Sequence, residues 1–349
     1  MTLSEFWKRF WTQGSPGSNF DKTTTPTIVM IEIVMLGLSF YAFYFLQRFT
    51  NKIPLRAGII MAGIFIFEMF TSPMWHNGHM GWWAYLYQDI SWILTIGWTA
   101  LILTIVTLVD HRFSKMSGWK RFALYLTILT PIVFILQMLM VNVGIRSYSP
   151  EVLQTISGIK VAGAPIEALY YVPVFMALVI GFYKFWSLTI DRIPVVPPGR
   201  LPWLRTLGLT ALGVLLFELM IEPMVRNEHF PSWSYVYHDI TFLMTGLWIA
   251  VVWASILLVE KFLPHWSLLH RFLLYLVVTA AIAIPIEAWF IDHGYRVYGP
   301  SCQAIYSGIR IPGTRVPVEV AFAIPLYFAL VIGFVRYGEF LCQKRITKA

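Results

Sequence analysis

The sequence predicts an all-α integral membrane protein of about nine transmembrane helices, built as two parallel four-helix repeats plus one closing helix. Three observations predict it. Of 349 residues, 58% are hydrophobic and 13% charged, against about 25% charged in an ordinary soluble domain. Nine stretches reach the roughly 20 apolar residues that cross a bilayer. An internal repeat links the two halves at an offset of 150 residues. This composition excludes a soluble enzyme, a disordered chain and a disulfide scaffold.

The elements follow in order. Residues 1–25 form an N-terminal tail, in which Leu3, Phe6, Trp7, Phe10 and Trp11 beside Lys8 and Arg9 suit a short interfacial helix. No apolar h-region of a cleavable signal peptide is expected there. The spans fall at about 26–47, 55–73, 84–109, 121–143, 165–187, 203–222, 235–259, 269–292 and 317–341. Phe67-Glu68 recurs as Phe217-Glu218, Asn77 and His79 as Asn227 and His229, Tyr85 and Asp89 as Tyr235 and Asp239, and Arg121 and Tyr125 as Arg271 and Tyr275. Gly144, Arg146 and Tyr148 recur as Gly294, Arg296 and Tyr298, and Pro165 and Glu167, after a two-residue insertion, as Pro317 and Glu319. The expected division is a first repeat over 26–164, a second over 165–316, and a closing helix with its tail over 317–349. An even number of spans per unit relates the repeats by an axis along the membrane normal.

Lys and Arg fix the orientation expected. Of the 26, 9 fall on the N-terminal side and 17 on the other. The positive-inside bias then places the N-terminus outside and the C-terminus in the cytoplasm, here of a bacterial inner membrane. The net charge of +8 reads as this topology signal, with no nucleic-acid partner. Cys302 and Cys342 belong to opposite faces and are expected to stay free.

Ionisable residues inside spans are costly and mark candidate sites. Glu68, Asp89, Asn142 and Glu167 in the first unit, and Glu218, Asp239, Asp292 and Glu319 in the second, gather at one depth near the outer surface. A carboxyl desolvated there is held protonated, as a general acid requires. The structural alternative is that these groups cap helix ends or pair with Arg146 and Arg296. His76, His79, His229 and His238 offer a weaker metal-binding alternative, broken where Arg226 replaces His76 in the second repeat. The aromatic stripes suit either membrane belts or an aromatic-walled chamber. Phosphate loops, nucleophile elbows and Asp-rich diphosphate motifs are absent from the sequence, and no cofactor is expected.

The segments after the fourth and eighth spans carry a resemblance. One reads Asn142-Val143-Gly144-Ile145-Arg146-Ser147-Tyr148-Ser149-Pro150, then Gly158-Ile159-Lys160 and Pro165-Ile166-Glu167-Ala168-Leu169-Tyr170-Tyr171. The other reads Asp292-His293-Gly294-Tyr295-Arg296-Val297-Tyr298-Gly299-Pro300, then Gly308-Ile309-Arg310 and Pro317-Val318-Glu319-Val320. Together with the loop from Asp110 to Arg121, this resembles the lycopene cyclase domain of the small integral-membrane carotenoid cyclases, over roughly residues 110–187 and 260–342. The departures are specific. The family's second Glu is Ala168 and Val320, its Asp is Asn142 in the first copy, and its turn Trp is Arg146 and Arg296.

The resemblance implies proton-initiated, redox-neutral cyclisation or hydration of a polyene. Glu167 and Glu319 are then the acid/base candidates, supported by Asp292, Glu218 and Glu68. Asn142, Asp89, Asp239, Arg146, Arg296, Tyr148, Tyr298, Tyr170 and Tyr171 are expected to bind a hydrophobic isoprenoid or lipid. Two alternatives stand beside it: a non-enzymatic lipid- or pigment-binding protein or scaffold, as a homo-oligomer or in a larger membrane complex, and a metal-dependent membrane oxidoreductase.

Overall fold

The computed structural model describes residues 22–155, 157–193 and 203–343. The expected interfacial helix within residues 1–25 lies outside them, apart from the short stretch from Lys22 to Thr25. Nine helices among the described residues are long and apolar enough to span a membrane, and the protein is an all-α integral membrane protein. Its chain forms two compact units, residues 1–183 and 184–349. The division between these units falls inside a helix, after Tyr183.

In the first unit the order is α1 (Pro26–Leu46), α2 (Ile53–Thr71), β1 (Trp75–Asn77), β2 (Tyr85–Tyr87), β3 (Ile90–Ser91), α3 (Trp92–Arg112), α4 (Gly118–Asn142), β4 (Arg146–Tyr148), α5 (Pro150–Thr155), β5 (Lys160–Val161), β6 (Ala164–Pro165) and α6 (Ala168–Ile190), whose last turns belong to the second unit. The second unit continues with α7 (Trp203–Ile221), β7 (Val225–Asn227), β8 (Tyr235–Tyr237), β9 (Ile240–Thr241), α8 (Phe242–Phe262), α9 (Leu268–Asp292), β10 (Arg296–Tyr298), α10 (Pro300–Ile305) and α11 (Val318–Gln343). From α2 to α5, every element has a partner 150 residues further on.

Local chemistry sets the boundaries. Ser91, Thr241, Ser117 and Ser267 cap α3, α8, α4 and α9, each hydroxyl accepting a first-turn N–H. Gly144 and Gly294 end α4 and α9 in the left-handed region, at φ +80° and +74°, where a glycine has no Cβ penalty. The third and seventh spans begin later than expected. Residues 85–91 and 235–241 are strand pairs with Gln88 and His238 at positive φ, so Asp89 and Asp239 sit at turns rather than in helices. The sequence reading ran these spans into the ribbons because their tyrosines are apolar enough to pass for helix.

Within each unit, two loops are knitted together. β1 pairs antiparallel with β4, and β7 with β10. The α2–α3 and α4–α6 connections thus share one end of the first unit, and the corresponding connections share one end of the second. At the opposite end lie ion clusters, half-buried in the first unit and buried in the second. Arg121 Nη1 donates to Asp110 at 2.9 Å, and the fully buried Tyr125 donates to the same carboxylate. In the second unit Arg271 and Tyr275 hold Glu260 in the same way. Arg336 adds contacts to Glu260 at 3.2 Å and Glu339 at 2.6 Å, and Thr206 donates to Glu339 at 2.5 Å.

Helix α1 buries little beyond Ile28, Glu32, Ser39 and Leu46. Its Met30, Ile33, Leu38 and Tyr41 are exposed, which suits lipid contact. Glu32 is anchored, accepting from Gly81 N at 3.2 Å and Trp83 Nε1 at 3.0 Å.

Arg336→Met leaves Glu339 without its cation and Glu260 with only one. Breaking a buried pair in this way costs about 3 kcal/mol. A clear fall in melting temperature in detergent is expected, and an unchanged melting curve would contradict this role.

Candidate functional site

The paired ribbons build the site. In the first unit the cross-strand register sets Asn77 opposite Arg146. Asn77 Nδ2 donates to the Asp89 carbonyl at 2.9 Å, and its backbone N–H reaches Asp89 Oδ2 at 3.3 Å. His76 Nδ1 lies 3.0 Å from the same oxygen. Tyr85 closes the turn by donating to the Asn77 carbonyl at 3.0 Å. Glu68, buried on α2, accepts from Thr95 on α3 at 3.2 Å. Arg146 lies in the electrostatic reach of Tyr148, Glu68 and Asp89, with its guanidinium over Trp75 at 5.6 Å. Burial outweighs these anions and lowers its pKa from the ordinary guanidinium value.

The second unit repeats the frame and changes one partner. Asn227 stands opposite Arg296 and accepts from its Nη1 at 2.6 Å, while Asn227 Nδ2 donates to the Asp239 carbonyl at 2.7 Å. Glu287, on α9, lies 3.5 Å from Arg296 Nε and accepts from the Tyr298 hydroxyl. Burial opposes the charge on Arg296, but Glu287 and Glu218 outweigh it and raise its pKa. Burial likewise raises Tyr298 well above an ordinary phenol, with Glu287 adding to the effect. Burial also raises Asp239, with Arg226 acting against it.

Glu167 immediately precedes α6, and its counterpart Glu319 lies in the first turn of α11. Glu167 Oε1 accepts from Ser157 N, and Glu319 Oε1 accepts from Ser307 N at 2.6 Å. In both residues Oε2 is buried without a hydrogen-bond partner. Tyr306 links this position to the rest of the second unit's cluster, packing on Tyr298 at 5.9 Å between centroids and standing in the field of Glu319.

Other expected residues fall further out. Asn142 is exposed and ties α4 to the β5–β6 turn through Ala162 O at 2.5 Å. Asp292 is exposed and pairs with Arg315 at 3.6 Å. Tyr170 and Tyr171 pack edge to face at 4.4 Å. His79 and His229 hold turn positions at positive φ, and His238 lies 3.7 Å from Glu222. Among the described residues, no three His, Cys, Asp or Glu side chains converge as a metal ion requires. Neither Cys302 nor Cys342 is in a disulfide, and Cys302 Sγ donates to the Met224 carbonyl at 3.5 Å.

The sequence reading missed Glu287 and Tyr306. Neither is repeated: the 150-residue offset puts Gln137 in the place of Glu287 and Ile156 in that of Tyr306. A carboxylate inside the apolar run of α9 was the available signal for Glu287. Comparison with family models, curated proteins and solved structures finds no match.

The two asparagines are expected to differ. Asn227→Ala removes a bond to a buried guanidinium as well as the Asp239 contact, whereas Asn77→Ala removes the Asp89 contact alone. Losses of about 2–3 and about 1 kcal/mol follow. Thermal melting of the two variants side by side checks the order, and equal losses would refute it.

Proposed function

We propose that the protein is an integral-membrane isoprenoid or carotenoid cyclase-like enzyme that protonates a polyene at Glu167, Glu319 or both. The observation that carries this reading is the shared geometry of the two carboxyls. One oxygen accepts a backbone N–H, and the other is buried with no partner. A proton on that second oxygen has no internal acceptor and is available to an apolar substrate. Transfer to a terminal alkene forms a C–H bond and a carbocation. A second double bond of the same chain attacks the cation and closes the ring. Loss of a neighbouring proton to the carboxylate restores the acid, so nothing is oxidised or reduced. Capture of the cation by water instead gives a hydrated product. Tyr170 and Tyr171 in the first unit, and Tyr298 and Tyr306 in the second, supply π faces that favour a cation. Asp292, exposed and paired with Arg315, stands outside the proton-transfer step.

A non-enzymatic lipid- or pigment-binding role is the second reading. Ala168 and Val320 favour it, since each turn then offers one carboxyl where the resembled family has two.

Glu167→Gln and Glu319→Gln retain the oxygen that accepts the serine N–H and remove the acid. The double variant is expected to lose at least about 100-fold in product formation in a carotenoid-producing host. Unchanged product would overturn the enzymatic reading, and a stoichiometric unmodified pigment on the purified protein would favour the second. The orientation proposed for this enzyme, N-terminus outside and C-terminus in the cytoplasm, predicts fluorescence from a C-terminal green fluorescent fusion and none from a periplasmic-type reporter at the same position. The reverse pattern would invert the topology.

A further inference from the structure

The two units treat their buried guanidinium differently. In the second, Glu287 accepts from the Tyr298 hydroxyl and pairs with Arg296 at 3.5 Å, while Asn227 Oδ1 takes Arg296 Nη1 at 2.6 Å. The repeat maps this set onto Gln137, Tyr148, Arg146 and Asn77. In the first unit these contacts are missing. Asn77 Oδ1 and Gln137 Oε1 are buried without hydrogen-bond partners; Nε of Arg146 and of Arg296 both lack one, but only Arg296 Nε faces a carboxylate. Arg146 and Asn77 are each 4% exposed. Among the described residues no carboxylate lies within ion-pair reach of Arg146. The acids that share its field are already engaged, Asp89 with His76 and Asn77, and Glu68 with Thr95. Trp75 lies under the guanidinium where the second unit has Val225.

We propose that the first unit binds a carboxylate at Arg146, in the place where the second unit supplies its own from Glu287. Arg146 Nε would face the carboxylate as Arg296 Nε faces Glu287 at 3.5 Å, and the Tyr148 hydroxyl would donate to it as that of Tyr298 does to Glu287. A buried guanidinium lacking an anion gains a charge-assisted, geometrically matched bond from a planar carboxylate. The second unit displays the group that fits: one carboxylate against one guanidinium and one phenol. The ribbon joins two connections at one end of the spanning helices, where a carboxylate can arrive on a lipid chain or from water. The inference does not depend on catalysis at Glu167 or Glu319. It is read by binding without turnover, so failure of either proposal leaves the other standing.

Equilibrium binding of labelled oleate and labelled acetate to the full chain in a non-ionic detergent tests it. Saturable binding of one carboxylate per chain is expected. Gln137→Glu, which restores an internal carboxylate, and Arg146→Gln, which removes the cation, should each weaken it about ten-fold or more. Both variants are scored on folded, monodisperse protein, so either suffices if the other fails to fold. Oleate binding that acetate cannot displace assigns the site to a lipid-borne head group, and displacement by acetate assigns it to free carboxylates as well. Absence of saturable binding for both probes, or equal affinity in a folded variant, overturns the proposal.

Discussion

Leaving a guanidinium buried and unpaired at the end of a set of membrane-spanning helices costs several kcal/mol, so polar groups gather around it. The ribbon end of each unit is organised by that requirement. The strand carrying Arg146 or Arg296 pairs with the strand carrying Asn77 or Asn227. The asparagine in turn holds the Asp89 or Asp239 turn through its side-chain amide, and that turn leads into the capped start of α3 or α8. The pairing of the ribbon strands and the turn that leads into α3 or α8 share one polar contact network.

The duplication makes the energetics comparable within one chain. Position 287 carries a carboxylate where position 137 carries an amide, and the consequences spread to neighbours. Arg296 is held by Asn227 and Glu287 and is driven toward its charged form. Arg146 has a tryptophan face and distant acids, and its charged form is disfavoured. The same frame therefore supports a closed polar core in one copy and an open one in the other. The carboxyls of Glu167 and Glu319 escape this divergence, because their fixing contact is a backbone N–H that side-chain substitution does not touch.

Much of the fold was legible in the sequence. Spans such as α4 and α9 are long apolar runs between a serine cap and a left-handed glycine, and all three signals are local. The β1–β4 and β7–β10 ribbons were not legible, since three-residue strands carry little periodicity and their partners lie two spans away. Among the site residues, Glu68, Glu218, Glu167 and Glu319 were readable as carboxylates in or beside apolar segments. Glu287 was passed over because attention to repeated positions hides a residue that only one copy has. Asp292 was read as an internal acid because it ends an apolar helix, and sequence alone does not report that α9 carries it into solvent beside Arg315.

The ribbons also constrain how the chain is made. β1 precedes two spans and β4 follows them, so their hydrogen bonds form only after α3 and α4 have both crossed the bilayer. Until then the Asn77–Asp89 turn has no Arg146 strand beside it, and the energetic cost of drying the guanidinium falls at the end of each unit's synthesis. Each unit thus has a late closing step in which backbone pairing and charge burial happen together. A ribosome that has released α2 and α3 has produced spans but no site.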